Sequence, residues 1–93
     1  MPRFISIHRA PGLDPEEIRA SASHVLNAPL ARYIQSYVNL AEGLIVSIYD
    51  ADSREKLSEQ FELLGFPFEE IQELQFAQSR AELEEMVSRG LHS

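Results

Sequence analysis

The side chains of this chain best suited to chemistry are His8, Tyr33, Gln35, Tyr37, Ser47, Tyr49 and Glu73, and they fall at alternate positions of four short segments. His8 is the one group among them whose charge changes near neutral pH, so it can serve as base, acid or metal ligand. The three tyrosines each offer an apolar ring with a hydroxyl at its tip, and Gln35, Ser47 and Glu73 add an amide, a hydroxyl and a carboxylate. Gathered on one surface, they would give a small organic molecule apolar walls and a few placed polar contacts. His8 and Glu73 would then form an orienting pair. Two plainer readings stand beside this one: tyrosines are common at subunit interfaces, and a histidine at a strand end often just bonds to nearby backbone or solvent. His24 and His92 are assigned no role. The acidic runs at 69–73 and 82–85 read as solvated faces without calcium-loop spacing. No Gly-rich phosphate loop and no Gly-x-Ser-x-Gly elbow is present.

The elements that must position these groups centre on residues 30–51. Both flanks of that stretch are rich in β-branched and aromatic residues, and Leu40, Ala41, Glu42 and Gly43 supply a turn, so it reads as a hairpin. Alternation puts Ile34, Val38, Leu40, Leu44, Val46 and Ile48 on one apolar side, expected to meet helices. Tyr33, Gln35, Tyr37, Ile45, Ser47 and Tyr49 fall on the other. Residues 3–9 form a first strand with Phe4, Ser6 and His8 on the aromatic-polar side, broken by Pro11 and Gly12. Asp14, Pro15, Glu16 and Glu17 are a helix start, and Ile18, Ala22, Val25 and Leu26 its expected buried stripe.

After the hairpin, Asp52 or Ser53 caps a second helix with Leu57, Phe61 and Leu64 inward and Gly65 as terminator. Residues 70–76 are read as a last strand, because three strands and two helices would otherwise lack a fourth member; Ile71, Glu73 and Gln75 would join the aromatic-polar side. Ser79 with Glu82 opens a terminal helix over 79–90, with Leu83, Met86, Val87 and Leu91 as its stripe. The whole is one α+β domain over 1–93, a ferredoxin-like βαββαβ core (1–77) with an extra C-terminal helix. Right-handed crossovers place both main helices on one face of the sheet. The opposite face is left bare, and a second subunit stacked sheet to sheet would complete a dimeric α/β barrel with a cavity between the sheets.

The opening MPRF, the segments RYIQSYV and IVSIYDADS, and above all GFPFEEIQEL resemble the domain of unknown function 4242 family, which includes nickel-binding-like proteins. The likeness runs from residue 1 to about residue 76. It implies the ferredoxin-like, dimeric α/β-barrel fold and leaves function mostly unassigned. Many members carry LHSYV where this chain has IQSYV, and often a cysteine where it has Ser47. Gln35 and Ser47 therefore stand where a ring nitrogen and a thiol would be expected, and both are weak ligands for nickel.

Composition narrows the classes further. Fifteen acidic against eight scattered basic residues give a formal charge of −7, which disfavours nucleic acid and anionic lipid as partners. The absence of cysteine removes disulfides and thiolate chemistry. No apolar run approaches the roughly 20 residues of a membrane span and no leader pattern opens the chain, so a soluble cytoplasmic protein is expected. A chain of 93 residues buries only about 60–65% of its unfolded surface, which favours a homodimer. Three functions follow as expectations: a small organic ligand bound between the sheets by His8, Tyr33, Gln35, Tyr37, Ser47, Tyr49 and Glu73; nickel-type metal binding through His8; or a cofactor-independent oxygenase or isomerase with His8 as base. Whether the chain is an enzyme is left open by the sequence.

Overall fold

The computed structural model describes residues 1–90. Its elements run β1 (Arg3–Arg9), α1 (Pro15–Asn27), β2 (Ala31–Asn39), β3 (Leu44–Ala51), α2 (Arg54–Leu64), β4 (Glu70–Leu74) and α3 (Arg80–Gly90). The four strands form one antiparallel sheet in the order β2-β3-β1-β4. This is the ferredoxin-like arrangement expected, with the added C-terminal helix. The expectations for Leu91 and His92 lie outside the described residues.

Local chemistry sets the boundaries. Asp14 accepts a hydrogen bond from the Glu17 amide at 2.9 Å, and Pro15 occupies the first turn, where its missing N–H costs nothing. Of the two candidate caps for α2, Ser53 is the one used, accepting from the Lys56 amide at 3.2 Å. Gly65 ends that helix at φ 73°, a left-handed conformation open to glycine at little cost. The Ser79 hydroxyl accepts from the Glu82 amide at 3.1 Å and donates to its carboxylate at 3.3 Å, opening α3. The hairpin turn depends on Gly43, because a Cβ there would stand 2.7 Å from the backbone of Ala10.

The faces of the sheet are the reverse of what alternation suggests. Residues paired across an antiparallel ladder share a face, and the pairs Phe4–Tyr49, Ser6–Ser47 and His8–Ile45 all face the helices. Phe4, Tyr49 and Ile71 join Leu57 and Phe61 of α2 in the core, each no more than 3% exposed. The bare face instead carries Ile5, Ile7, Val46, Ile48 and Leu44, all half-buried. A β-bulge between Tyr33 and Gln35 then breaks the alternation of β2. Tyr33 pairs with Tyr49 on the helix side, whereas Gln35 and Tyr37 pair with Ile48 and Val46 on the bare side, and Val38 pairs with Ile45 on the helix side. The expected aromatic-polar bare surface is thus divided between the two faces, and of the expected aliphatic helix-side set Leu44, Val46 and Ile48 lie on the bare face while Val38 stays on the helix side.

The two layers of helix differ in packing. Leu57, Gln60 and Phe61 of α2 are buried, but no residue of α1 is, although its stripe points at the sheet. No residue of α3 is buried either, and Leu83, Met86 and Val87 remain exposed with Phe76. The molecule measures 52 × 31 × 22 Å along its principal axes. No helix among the described residues is long and apolar enough to cross a membrane.

Candidate functional site

A cavity of about 430 Å³ lies between α1 and the sheet. Because α1 stands off the strands, Ile18, Ala22, Val25 and Leu26 line this space instead of closing it. Val38 and Ile45 form the apolar floor, and Phe66 and Pro67 close one end. The polar groups inside are His8, Tyr33, Tyr49, Ser36, Ser47 and Ser21, with Arg9 at the margin.

Each of these has a definable hydrogen-bond state. The Nδ1 of His8 lies 3.0 Å from the Pro67 carbonyl, which can only accept, so Nδ1 carries the proton and donates. The other nitrogen, Nε2, then accepts from the Ser6 hydroxyl at 2.8 Å. Its ring also meets Phe61 edge-on at 4.7 Å. Burial pushes the His8 imidazole below its ordinary pKa, an effect the Pro67 bond opposes. His8 is therefore held neutral with both nitrogens engaged. The expected pairing with Glu73 is not made: Glu73 stands opposite Phe4 in the ladder, is exposed, and does not line the cavity.

Ser36 and Ser47 hydrogen-bond each other at 2.7 Å, and Ser21 donates to the Ile18 carbonyl. The two tyrosines are different. Their rings meet edge-on with centroids 5.5 Å apart. Burial, with the nearby Tyr33, raises the Tyr49 phenol to about 12, so it stays protonated. No buried side-chain oxygen or nitrogen among the described residues lacks a partner. Since no group among the described residues bonds the Tyr49 hydroxyl, the 3% of this residue that is accessible includes that oxygen.

Of the seven residues singled out from sequence, the structure brings His8, Tyr33, Ser47 and Tyr49 to one cavity. It lies under α1 and not on the bare face. Gln35 and Tyr37 are on the far side of the sheet because of the bulge, and Glu73 is at the edge strand. Sequence reasoning missed Ser36, which the bulge turns inward, and Gln60. The Gln60 side chain, fully buried, accepts from the amides of Leu30 and Ala31 at 2.9 and 2.7 Å and donates to the Ala31 carbonyl at 3.1 Å. It fastens the start of β2, and hence Tyr33, to α2. Its only sequence signal is a polar residue beside Phe61 in the buried stripe.

Residues 4–74 match the family model described as nickel responsive protein SCO4226-like. The chain belongs to that family. The SCO4226-like match ends with β4, so α3 lies beyond it. Among solved structures, the crystal structure of SCO4226 from Streptomyces coelicolor A3(2) superimposes with a TM-score of 0.71 at 20% identity, covering 82% of this chain and 99% of that one. At that identity the likeness speaks for the fold. No curated protein sequence matches the chain.

The family description raises nickel, and the donor chemistry can be tested directly. Among the described residues, no three His, Cys, Asp or Glu side chains come together in a way that could hold a metal ion. Gln35 and Ser47, where the family resemblance would expect a ring nitrogen and a thiol, lie on opposite faces of the sheet. His8 would have to give up the Ser6 bond to present a lone pair. A single protomer does not fit a nickel centre at these residues.

Proposed function

We propose that this protein binds a small organic molecule in the cavity between α1 and the sheet, and that it does so as a homodimer stacked through its bare aliphatic sheet face. The observation that carries the ligand reading is the cavity itself. At about 430 Å³ it falls within the range of roughly 300–1,000 Å³ typical of ligand sites, and its walls are apolar with several hydroxyls converging. Empty space of this size beneath a helix is costly to a small domain, because the lining side chains lose their packing partners. An occupant would restore those contacts. The dimer reading is supported by Ile5, Ile7, Val46 and Ile48, which form an apolar strip across β1 and β3 with no helix over it.

A thermal-shift screen of small aromatic and alicyclic compounds tests the site. Ala22→Phe, which places a ring in the cavity from the α1 side, is expected to abolish every shift while the protein still unfolds cooperatively. Compounds that stabilise the folded variant as well as the parent chain would overturn the assignment. For the dimer, Val46→Glu puts a charge in the centre of the strip, and a fall to half the parent mass by light scattering is expected.

The family's nickel description supports a second reading, in which nickel is held by groups that two protomers contribute jointly. Calorimetry with nickel on the parent chain and on His8→Gln decides it for His8. Equal heats in the two proteins would exclude that residue as a ligand.

A further inference from the structure

Resting on the cavity reading above, we infer that the occupant is an uncharged, largely apolar molecule bearing a hydrogen-bond acceptor, such as a ketone or ether oxygen, to which the Tyr49 and Tyr33 hydroxyls donate. The inference comes from which polar groups in the cavity are already spent. His8 uses both ring nitrogens, on Pro67 and Ser6. Ser21 already donates its hydrogen bond to the Ile18 carbonyl. In the Ser36–Ser47 pair one hydroxyl donates to the other, so only one proton is left over. Arg9, the single permanently charged residue of the lining, is half exposed and bonds through Nε to Glu69 at 2.9 Å.

Among the described residues no carboxylate lines the cavity, and Arg9, the one cation of the lining, is paired with Glu69. A charged ligand would therefore be desolvated against groups unable to compensate it. What the site still offers is hydroxyl donors. Tyr49 is only 3% exposed, yet it lines the cavity, and among the described residues neither its hydroxyl nor that of Tyr33 beside it has a hydrogen-bond partner. The Tyr49 hydroxyl is open to the cavity and unpartnered there, so an acceptor on the ligand can take its hydrogen bond as the apolar body displaces water. The rings of the two tyrosines and Val38, Ile45, Val25 and Ile18 provide the apolar enclosure for the rest of the molecule.

The test uses the full chain and three fluorescent naphthalene probes: the uncharged ketone 6-propionyl-2-dimethylaminonaphthalene, its ketone-free parent 2-dimethylaminonaphthalene, and the anion 1-anilinonaphthalene-8-sulfonate. The chain has no tryptophan, so probe emission is read without interference from one. The ketone is expected to bind with blue-shifted emission, and the sulfonate to bind at least tenfold more weakly. Tyr49→Phe is expected to weaken the ketone about fivefold to tenfold, the loss of one hydrogen bond, and to leave the ketone-free parent within twofold. Tyr33→Phe makes the same measurement at a less buried site should Tyr49→Phe fail to fold. Equal loss of both uncharged probes, no loss of either, or tighter binding of the sulfonate would overturn the inference. Ala22→Phe separates the two levels. If it expels the uncharged probes while the tyrosine variants have no selective effect, the cavity stands and the donor assignment falls; if the probes stay, the cavity reading falls with it.

Discussion

The two helices that cover the sheet do so in opposite ways. In α2, Leu57 and Phe61 are sealed against Phe4, Tyr49 and Ile71, and even the polar Gln60 is fully buried with its hydrogen bonds made. In α1, an equally regular stripe of Ile18, Ala22, Val25 and Leu26 buries nothing, and Leu26 is 69% exposed. Both helices are well capped, so capping does not separate them. The difference is in side-chain volume. Aromatic rings stand between α2 and the strands: His8 and Tyr49 meet Phe61 edge-on, and Phe61 meets Phe68 at a tilt. Beneath α1 two of the strand positions lining the cavity are the small Ser36 and Ser47, between Val38 and Ile45 on one side and the tyrosines on the other. One half of the layer is closed around a core, and the other is left open.

Mutations can break this contrast. The largest effect is expected for Phe61→Ala, a loss of about 3–5 kcal/mol that would leave little of the stability of a 93-residue chain, read as a collapse of the urea midpoint. Gln60→Leu keeps the volume but strands the backbone groups of Leu30 and Ala31, and about 2–3 kcal/mol should be lost in the same assay. Ala22→Phe, in the open half, is expected to change stability by less than about 1.5 kcal/mol, since the added ring enters existing space and not a full core. Leu26→Ala should be the mildest, within roughly 0.5 kcal/mol. A Leu26 effect as large as that of Phe61 would show that α1 is closed in solution.

The pH dependence sharpens the same contrast, because His8 lies where the two halves meet. Its folded pKa is lowered by burial, so below the ordinary value of 6.5 the unfolded chain takes up a proton that the folded one resists. Stability should fall as pH drops through that value and continue falling toward the lower folded pKa. His8→Gln removes this contribution, and its urea midpoint should change less with pH over the interval below 6.5. An unchanged slope would mean that the imidazole is not held neutral.

Much of the frame was legible in the residues. Asp14 with Pro15, Gly65, and Ser79 with Glu82 are local signals whose physics acts within one turn, and each marks an element end where the chain places it. The first three strands followed from β-branched and aromatic runs, and the last from the need for a fourth member of the βαββαβ order. The faces were not legible, for two reasons. The bulge at Ile34 inverts alternation in the middle of β2, so Tyr33 and Tyr37, four residues apart, point to opposite sides. In β1, a segment with Ser6 and His8 on one side and Ile5 and Ile7 on the other would ordinarily bury its isoleucines. Here the polar pair is satisfied internally and by the Pro67 carbonyl, 59 residues along the chain, a partner that no local pattern announces. Four of the seven candidate residues still meet at the cavity, because His8, Tyr33, Ser47 and Tyr49 lie at helix-side positions of neighbouring strands.

The detached helix α3 has a bearing on how assembly must be measured. A compact chain of this length would have a radius of gyration near 12 Å, whereas this one reaches 16.4 Å. A lone copy would drift through a sizing column as though it were a heavier, rounder particle, and elution volume alone would report a pair where there is one. Absolute mass, free of any assumption about shape, is the quantity that tells the two apart.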